Sequence, residues 1–460
     1  MRKPEAVFSV HDLAIRLFER WRLPPDASLR VAYSGGLDSH VLLHALATLR
    51  TQAPIRLSAL HIDHGLHPQS ADWAEHCARV CRELAVPLES KRVAVTTTAE
   101  DGPEAAARRA RYAAFAAVLQ PGECLLTAQH RDDQAETVLL QLLRGAGVAG
   151  LAAMPERTPF ARGELLRPLL DYPRDALEDY ARRHGLVWID DPSNQDVRLR
   201  RNYLRSEILP RLTQHWPEAS RMLVRTAGHM AEAGALLSEI AEADLTRCES
   251  RGVAIPRGAL AVAELRRLSP ARQRNLIRHW LRRQHYVLPA IQRLEEILRC
   301  IAGDSRSRHA CVGWDGVEVW RYRDALAAVP ARVLPDPQLD LAWNPDAPIL
   351  VPGVGRLSVE PVLVSGLAYA RLPRGGLRIR LRRGGETVNL PGRGHHHAVK
   401  KLLQAAGVPP WERARLPMFY AGADLVAVAD RWVAADYVAR PGEPGVAIVW
   451  QPFADPENGG

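Results

Sequence analysis

Apolar and amphipathic runs alternate along the first third of this chain. The apolar runs are short, as in buried strands, and the amphipathic runs repeat every three to four positions, as in helices. In chain order, the strand-like runs are Leu29 to Tyr33, Ile55 to His61, Leu88 to Val95 and Cys124 to Gln129. Each is followed by a helix-like run, and these are His40 to Leu49, Asp72 to Leu84, Glu104 to Leu119 and Asp132 to Leu143. This alternation predicts βαβ units, and therefore an α/β fold with a parallel sheet covered by helices on both faces. Ligands of such sheets bind beyond the carboxyl ends of the strands.

The pattern changes after Pro217 to long helix-like runs rich in Ala, Leu and Arg, which predict a small helical domain. These runs are Glu218 to Arg247, Leu265 to Arg283 and Pro289 to Cys300. Five prolines between positions 333 and 352 are predicted to break regular structure and form a linker. Short alternating strands and a helix around Ala398 to Ala406 then predict a small α+β domain. The predicted divisions are 1–216, 217–332, 333–352 and 353–460.

The run Ser34-Gly35-Gly36-Leu37-Asp38-Ser39 lies where the first strand-like run gives way to its helix. Two glycines permit a tight turn, and serine hydroxyls and helix amides then face an anion. The run predicts a cradle for the phosphates of a nucleotide such as ATP. It lacks the lysine and spacing of the Walker A pattern, so ordinary phosphoryl transfer is disfavoured. A glycine turn that binds nothing is the alternative.

Acidic residues open the helix that follows Cys124 to Gln129. Asp133 and Glu136 are three positions apart, so they share one helical face and are able to converge on a single cation or proton. Acids in a first helical turn are also common because they cap amides and suit the helix dipole. From this segment alone, helix capping and catalysis both remain possible roles for Asp133 and Glu136.

Arginines follow two of the predicted elements. Arg111 belongs to an E-x-x-x-R-x-x-R-Y pattern that begins at Glu104, and an arginine aimed at the sheet edge would stabilise phosphate charge by paired hydrogen bonds. Arg201 and Arg205 flank Tyr203. This second group is either a solvated basic helix or a phosphate-binding and stacking surface for single-stranded RNA, and the RNA interpretation is favoured.

Composition narrows the class of protein. A hydrophobic content of 47% with 25% charged residues is typical of a folded globular chain. No apolar run approaches the ~18 residues that span a bilayer, and charges interrupt the N-terminus, so a cytoplasmic protein is predicted. The six cysteines form no C-x-x-C pair, which argues against a zinc ribbon, an iron–sulfur cluster or a disulfide framework. A net charge of +9 favours a nucleic-acid partner, although a genome bias toward arginine would have the same effect.

The ordered set of motifs resembles the bacterial tRNA(Ile)-lysidine synthases, which are PP-loop ATP pyrophosphatases with a Rossmann-like catalytic domain. SGGLDS from Ser34, HIDHGLHP from His61, HRDDQAET from His130 and RNYLR from Arg201 occur in the family's order. RRGGETVNLPGRG from Arg382 and KKLLQAAGVPPWERARLP from Lys400 resemble the family's C-terminal domain. The His395-His396-His397 run departs from the usual turn and is assigned no role.

The resemblance implies a reaction in which ATP adenylates the C2 oxygen of the wobble cytidine in the CAU anticodon of tRNA(Ile). Free L-lysine then displaces AMP to give lysidine. Asp38 would hold Mg²⁺, an ion that prefers oxygen ligands, and Asp133 and Glu136 would bind the lysine amine and accept its proton. ATP would be bound by Ser34, Gly35, Gly36, Leu37, Asp38 and Ser39, and charge at the α-phosphate would be stabilised by Arg111 or Arg205. The tRNA would be bound by Arg201, Arg205, Arg378, Arg380, Arg393, Lys400, Lys401, Arg413 and Arg415.

Other functions remain open at this point. A tRNA thiolase shares the opening loop, but its cytidine-directed members are associated with C-x-x-C cysteines, which are missing here. An amidating synthetase for GMP or NAD would leave the long basic C-terminal half without a purpose. A noncatalytic tRNA-binding protein with a degenerate nucleotide fold is a third possibility. The oligomeric state is not predicted.

Overall fold

The computed structural model describes residues 7–65, 69–95, 103–250, 258–303, 311–331, 335–362, 366–373, 376–392 and 394–453. The chain divides into two compact units, Met1–Leu236 and Leu237–Gly460. None of the helices in the described part of the chain combines the length and apolar character that a bilayer crossing requires. The four predicted divisions of the chain remain a prediction.

A six-stranded sheet in the order β3-β2-β1-β4-β6-β5 forms the centre of the first unit. All neighbouring strands pair in parallel except β5 and β6, which form an antiparallel pair that the sequence analysis did not foresee. The strands are β1 Ser28–Ala32, β2 Arg56–Asp63, β3 Leu88–Arg92, β4 Cys124–Leu126, β5 Arg157–Phe160 and β6 Gly163–Leu166. The predicted parallel sheet is therefore confirmed.

Helices connect and follow these strands. They are α1 Val10–Ala14, α2 Leu37–Leu49, α3 Ser70–Glu83, α4 Pro103–Val118, α5 Arg131–Leu143, α6 Val148–Leu151, α7 Arg174–Arg183, α8 Arg200–Tyr203, α9 Leu209–His215 and α10 Ala219–Cys248. Ile15–Arg20 and Leu204–Ile208 are π-helical, and Pro192–Gln195 is a 3₁₀ turn.

Alternate residues of the strands pack against helices on opposite faces of this sheet. Leu29 and Val31 of β1 lie in one apolar cluster with α2 and α7. On the other face, Leu125 of β4 and Leu165 of β6 lie in a separate cluster with Phe115 of α4. Because successive side chains of a strand point to opposite faces, both faces of the sheet are buried and the site is left at its carboxyl edge.

The second unit begins with helices that pack on a four-stranded sheet of order β7-β10-β9-β8. These elements are β7 Leu260–Ala261, α11 Val262–Arg267, α12 Pro270–Arg283, α13 Ile291–Ala302, β8 Cys311–Trp314, β9 Val317–Tyr322 and β10 Ala325–Pro330. The predicted helices of this region are present, and the four-stranded sheet on which they pack was not predicted. The predicted helix over 265–283 is also two helices, because Ser269 caps α12 and Pro270 begins it.

The remainder of the second unit contains two antiparallel sheets and a short hairpin. Its strands are β11 Asp340–Trp343, β12 Ile349–Val351, β13 Gly355–Val362, β14 Leu367–Ala368, β15 Leu377–Leu381, β16 Thr387–Asn389, β17 His396–Ala398, β18 Pro417–Ala421, β19 Asp424–Val428, β20 Trp432–Val433 and β21 Gly445–Pro452. Its helices are α14 Val399–Ala405 and α15 Pro410–Arg413. The predicted α+β class is confirmed.

The proline-rich stretch from 333 to 352 is not free of regular structure. β11 pairs with β15 and β12 pairs with β13, so both strands belong to the sheets of this unit. The prolines lie before, between and directly after the two strands, where no amide donor is required of them. The prediction that these prolines break every regular element was therefore wrong.

Candidate active site

The turn between β1 and α2 is closed by its own serines. The Ser34 and Ser39 hydroxyl oxygens are 3.0 Å apart, the Ser34 amide donates to Ser39 Oγ at 3.2 Å, and Ser39 Oγ donates to the Gly36 carbonyl at 3.0 Å. Gly36 is the N-cap of α2 and offers no side-chain acceptor. The first-turn amides of α2 consequently face outward at the carboxyl edge of the sheet, an arrangement that binds phosphate.

Gly35 occupies a position that only glycine fits. Its φ is +83°, and a Cβ atom there would lie 2.5 Å from Ile189 Cδ1 and 3.0 Å from Cys77 Sγ. The Gly35 carbonyl accepts the Ile189 amide at 3.0 Å. The turn is therefore held from behind by the segment after α7 and by α3.

His130 connects the glycine turn to the start of α5. It is the N-cap of α5, and its Nδ1 accepts the Asp132 amide at 3.2 Å. The proton of a neutral ring therefore lies on Nε2, which is 3.6 Å from Asp38 Oδ2 and 3.4 Å from Asp133 Oδ2. Asp133 completes the capping box by accepting the His130 amide at 3.1 Å. His130 and Asp133 therefore cap α5 and also belong to the candidate site.

Two arginines close the other side of this cluster. Arg201 Nε donates to Glu136 Oε2 at 2.6 Å, and Arg205 Nε donates to Glu136 Oε1 at 2.7 Å. Arg205 Nη2 also donates to Asp133 Oδ1 at 3.0 Å. Glu136 is fully buried, so both of its oxygens are committed to these arginines.

The segment before α8 sets the position of these arginines. Asp191 caps the 3₁₀ turn by accepting the Ser193 amide at 2.8 Å. Asn202 Nδ2 then donates to the Ser193 and Asp196 carbonyls at 2.9 and 3.1 Å. These bonds anchor α8, which carries Arg201 toward α5, and the π-helical turn Leu204–Ile208 that follows it, which carries Arg205.

The two aspartates of the cluster have opposite acidities. Burial raises the pKa of Asp38, His130 opposes this in part, and Asp133 adds to the rise. Burial also acts to raise the pKa of Asp133, but His130, Arg201 and Arg205 outweigh it and hold that pKa below its ordinary value. Asp133 is therefore the more firmly ionised of the pair.

Arg111 lies with the end of β2. Burial and the nearby Arg111 lower the pKa of His64. On the same helix, Arg108 lies over the Tyr112 ring at 4.8 Å from its centroid. Of the two arginines predicted to stabilise charge at the α-phosphate, Arg205 rather than Arg111 is the one that the structure brings to Asp133.

The sequence analysis gave no role to His130 or to Arg174. Arg174 begins α7, its amide donates to Asp132 Oδ2 at 2.9 Å, and its charge acts on Asp38. A sequence signal existed only for His130, which lies within the HRDDQAET motif. The proximity of Arg174 depends on the packing of α7.

The basic residues predicted to bind RNA in the second unit lie in different environments. Arg378 and Arg380 share the Asp340 carboxylate at 2.5 and 3.2 Å, whereas Lys400 and Lys401 are exposed. Arg413 is buried, and Arg415 is buried with its guanidinium on the Gly353 carbonyl. Arg415 is therefore engaged with its own chain, and its predicted contact with tRNA stays a prediction. Arg393 lies outside the described residues.

Family models match three parts of the chain. A PP-loop domain matches residues 12–212, a TilS substrate binding domain matches 260–327, and a TilS substrate C-terminal domain matches 377–450. The order and positions agree with the motifs that carried the resemblance.

Curated relatives match almost the whole length. A protein of Alkalilimnicola ehrlichii named tRNA(Ile)-lysidine synthase is 47% identical over 91% of this chain and 93% of its own. Proteins of the same name are 39% identical in Methylococcus capsulatus, over 94% of this chain and 98% of the relative, and 44% identical in Pseudomonas aeruginosa, over 92% and 93%. With the glycine turn and the carboxylate–arginine cluster in place, the chain belongs to the tRNA(Ile)-lysidine synthase family.

Proposed function

We propose that this protein is an ATP-dependent ligase that joins L-lysine to C2 of the wobble cytidine in the CAU anticodon of tRNA(Ile). Membership of the family supports the reaction. The observation that carries the assignment of the site is the cluster of Asp38, His130, Asp133 and Arg205 beside the glycine turn. Phosphate, amine and pyrimidine chemistry all require groups of these kinds at one edge of the sheet.

The glycine turn binds the β- and γ-phosphates of ATP. Backbone amides of Leu37, Asp38 and Ser39 lie in the first turn of α2, where the helix dipole favours negative charge. The absence of Cβ atoms at Gly35 and Gly36 lets phosphate approach the backbone closely. With the pyrophosphate held, the α-phosphate is presented to the cytidine C2 oxygen. That oxygen forms a bond to phosphorus as the bond to pyrophosphate breaks.

Asp38 is suited to hold Mg²⁺ with the phosphates. Its Oδ1 is buried and accepts no hydrogen bond among the described residues, and burial raises its pKa, so a cation beside it would stabilise the ionised carboxylate. In the described part of the chain no group of three or more His, Cys, Asp or Glu side chains forms a metal cage. Mg²⁺ commonly takes few protein ligands and completes its shell with phosphates and water. When bound, it neutralises phosphate charge.

Asp133 binds the lysine ammonium and accepts its proton. The ammonium, with a reference pKa of about 10.4, first loses one proton to solvent, which gives the neutral amine whose lone pair attacks C2. The nitrogen becomes strongly acidic as it bonds to C2, so even a carboxylate of low pKa is an adequate acceptor for the second proton. AMP then leaves and lysidine remains. Glu136 has no exposed surface, so it positions Arg201 and Arg205 instead of contacting the amine, whereas the Asp133 side chain keeps 14% of its surface exposed. Arg205 balances the charge at the α-phosphate.

The basic residues of the second unit bind the tRNA away from the anticodon. Lys400 and Lys401 are exposed, and Arg378 and Arg380 together carry one charge more than their shared Asp340. Phosphate contacts of this kind position a nucleic acid without reading its sequence.

Nucleoside mass analysis tests the reaction. A CAU tRNA(Ile) transcript is incubated with the protein, ATP and lysine, and we expect a cytidine mass increase that corresponds to lysine with loss of water. Pyrophosphate release over many turnovers should require both tRNA and lysine. Incorporation of sulfur or ammonia in place of lysine, or no modification at all, would favour the thiolase, amidating or noncatalytic alternatives.

A variant of Asp133 tests its role separately. Asp133→Asn should raise the KM for lysine and slow single-turnover lysidine formation about 100-fold, while cytidine adenylation continues. Glu207→Gln, which removes an exposed carboxylate near Arg211, is the matched control and should leave both steps unchanged. Lysidine formation that survives Asp133→Asn unchanged would remove Asp133 from the mechanism.

A further inference from the structure

A basic pocket of about 410 Å³ lies in the second unit, away from the glycine turn in sequence. It is lined by the loop after β15, by α14 and by α15, and its charged lining residues are Arg382, Arg383, Lys400 and Arg413. No aspartate or glutamate lines it among the described residues. The pocket therefore concentrates positive charge in a concave space, which attracts anions.

Arg413 is the buried residue among the charged side chains that line this pocket. Only 6% of its surface is exposed, and its Nε donates to the Val408 carbonyl at 2.8 Å. The guanidinium lies 5.8 Å from the centre of the Tyr322 ring of β9, which fixes its plane. Its Nη2 is buried and has no hydrogen-bond acceptor in the described structure. An unsatisfied buried donor on a charged group is costly unless a ligand supplies the acceptor.

No carboxylate is among the groups that shift the pKa of Arg413 in the described structure. Burial lowers the pKa of Arg413, Tyr322 opposes this, and the neighbouring Arg382 and Arg323 lower it further. Glu386 lies near Arg382, and its Oε1 already accepts the Arg383 and Gly384 amides at 2.5 and 2.7 Å. Its Oε2 is 3.7 Å from Arg382 Nε, which itself makes no hydrogen bond among the described residues.

We propose that this pocket binds one phosphate group of the RNA substrate, with Arg413 as its buried ligand and Lys400, Arg382 and Arg383 around it. The inference rests on the proposed tRNA substrate. The Arg413 Nη2, which has no acceptor among the described residues, is available to donate to a phosphate oxygen, and a guanidinium suits phosphate geometry. The volume exceeds that of a single phosphate, so the attached sugar also enters.

Tyr322 connects Arg413 to a neighbouring strand. The tyrosine belongs to β9, so the proposed phosphate ligand Arg413 contacts the four-stranded sheet of the same unit. Arg323, beside Tyr322, donates to the Gln404 carbonyl of α14 at 2.7 Å. The phosphate is thus bound where α14 and α15 meet β9.

The test uses the full-length protein and measures tRNA affinity as a function of salt concentration. Lys400→Ala and Arg383→Ala change exposed residues, and each should weaken tRNA binding about three- to tenfold and lower the slope of log Kd against log salt by about one. Arg413→Lys keeps the positive charge but removes the planar, branched guanidinium, and it should weaken tRNA binding by a similar factor. The Tm of this variant is recorded to exclude unfolding. The matched control is Arg356→Ala, an exposed arginine of β13 outside the pocket, which should leave affinity and slope unchanged.

Two further measurements distinguish the source of the phosphate. At constant ionic strength, replacing chloride by inorganic phosphate should weaken tRNA binding to the wild type more than to Lys400→Ala. The KM for ATP should be the same in all variants at saturating tRNA. A raised KM for ATP with an unchanged tRNA Kd would assign the pocket to free nucleotide and overturn the proposal, as would unchanged tRNA binding in all three pocket variants.

The wild-type protein separates this inference from the proposed function. Lysidine formation by the wild type together with normal tRNA binding by the pocket variants would refute the pocket alone. Failure of the wild type to form lysidine would refute the proposed function whatever the pocket variants bind.

Discussion

Arg205 donates from Nε to Oε1 of Glu136 at 2.7 Å, and Glu136 has no exposed surface. Arg201 takes the other oxygen at 2.6 Å. A buried carboxylate that joins two arginines from a distant helix ties α8 and the π-helical turn after it to α5. Loss of one member leaves the others with uncompensated charge in a poorly solvated place.

Glu136→Gln should therefore lower the free energy of unfolding by about 3 kcal/mol, since it leaves two partly buried guanidinium groups to share the single charge of Asp133. Chemical denaturation of the variant and the wild type measures this difference. Glu207→Gln breaks an exposed pair with Arg211 and should change stability by less than about 1 kcal/mol. Equal effects of the two substitutions would contradict the structural role assigned to Glu136.

Asp38→Asn should have opposite effects on stability and on activity. Burial raises the pKa of Asp38, so its ionised form is unfavourable in the ligand-free protein, and removal of the charge should raise Tm slightly. The same change should reduce kcat/KM for ATP about 100-fold, because it removes the carboxylate that we propose holds Mg²⁺.

Differential scanning calorimetry without ATP and a pyrophosphate-release assay measure the two effects of Asp38→Asn. A lower Tm together with unaltered ATP kinetics would show that Asp38 is a structural residue.

Gly35→Ala should destabilise the protein in the absence of any ligand. The left-handed backbone costs about 1–2 kcal/mol for a residue with a Cβ atom, and overpacking against Ile189 adds about 1–3 kcal/mol. Gly36→Ala is the matched control, because its φ is −75° and a Cβ there would lie 3.6 Å from the nearest atom, Ser34 Oγ.

Thermal unfolding separates the two glycine variants. Gly36→Ala should keep a Tm near that of the wild type, and Gly35→Ala should not. If both variants unfold at the wild-type temperature, the turn is more adaptable than its contacts with Ile189 and Cys77 indicate.

His40 should make the first unit sensitive to mild acid. Burial lowers its pKa from 6.5 to about 4, and the nearby His76 contributes. As pH falls below 6.5 the unfolded chain takes up a proton that the folded protein does not, so stability decreases until about pH 4. The decrease over this range is about 3 kcal/mol.

Replacing His40 with a residue that does not titrate, as in His40→Gln, should flatten the dependence of the unfolding free energy on pH between 6.5 and 4. His11→Gln, at an exposed position, is the control. Urea denaturation at several pH values measures both slopes. An undiminished slope in His40→Gln would place the acid sensitivity elsewhere.

Sequence reasoning succeeded where the signal is local. The strand and helix runs between Leu29 and Leu143 follow from residue periodicity, and the turn at Ser34 follows from glycine chemistry between a strand and a helix. It failed for the sheet over 311–330, where short strands such as Ala325–Pro330 follow strong helical patterns and lack their own clear alternation. It also failed at the prolines before β11 and β12, which a sheet edge accommodates.

The sequence by itself determined the α/β architecture of the first unit, the nucleotide-binding turn and the order of motifs that places the chain in its family. Periodicity and turn chemistry depend on neighbouring residues, so they are legible without a structure. Only the tertiary structure decided that Arg201 and Arg205 meet Glu136, from 65 and 69 positions away, and that Arg413 is buried beneath a basic pocket. Charge pairing and burial depend on which helices and strands pack together, and those contacts are set by the whole fold.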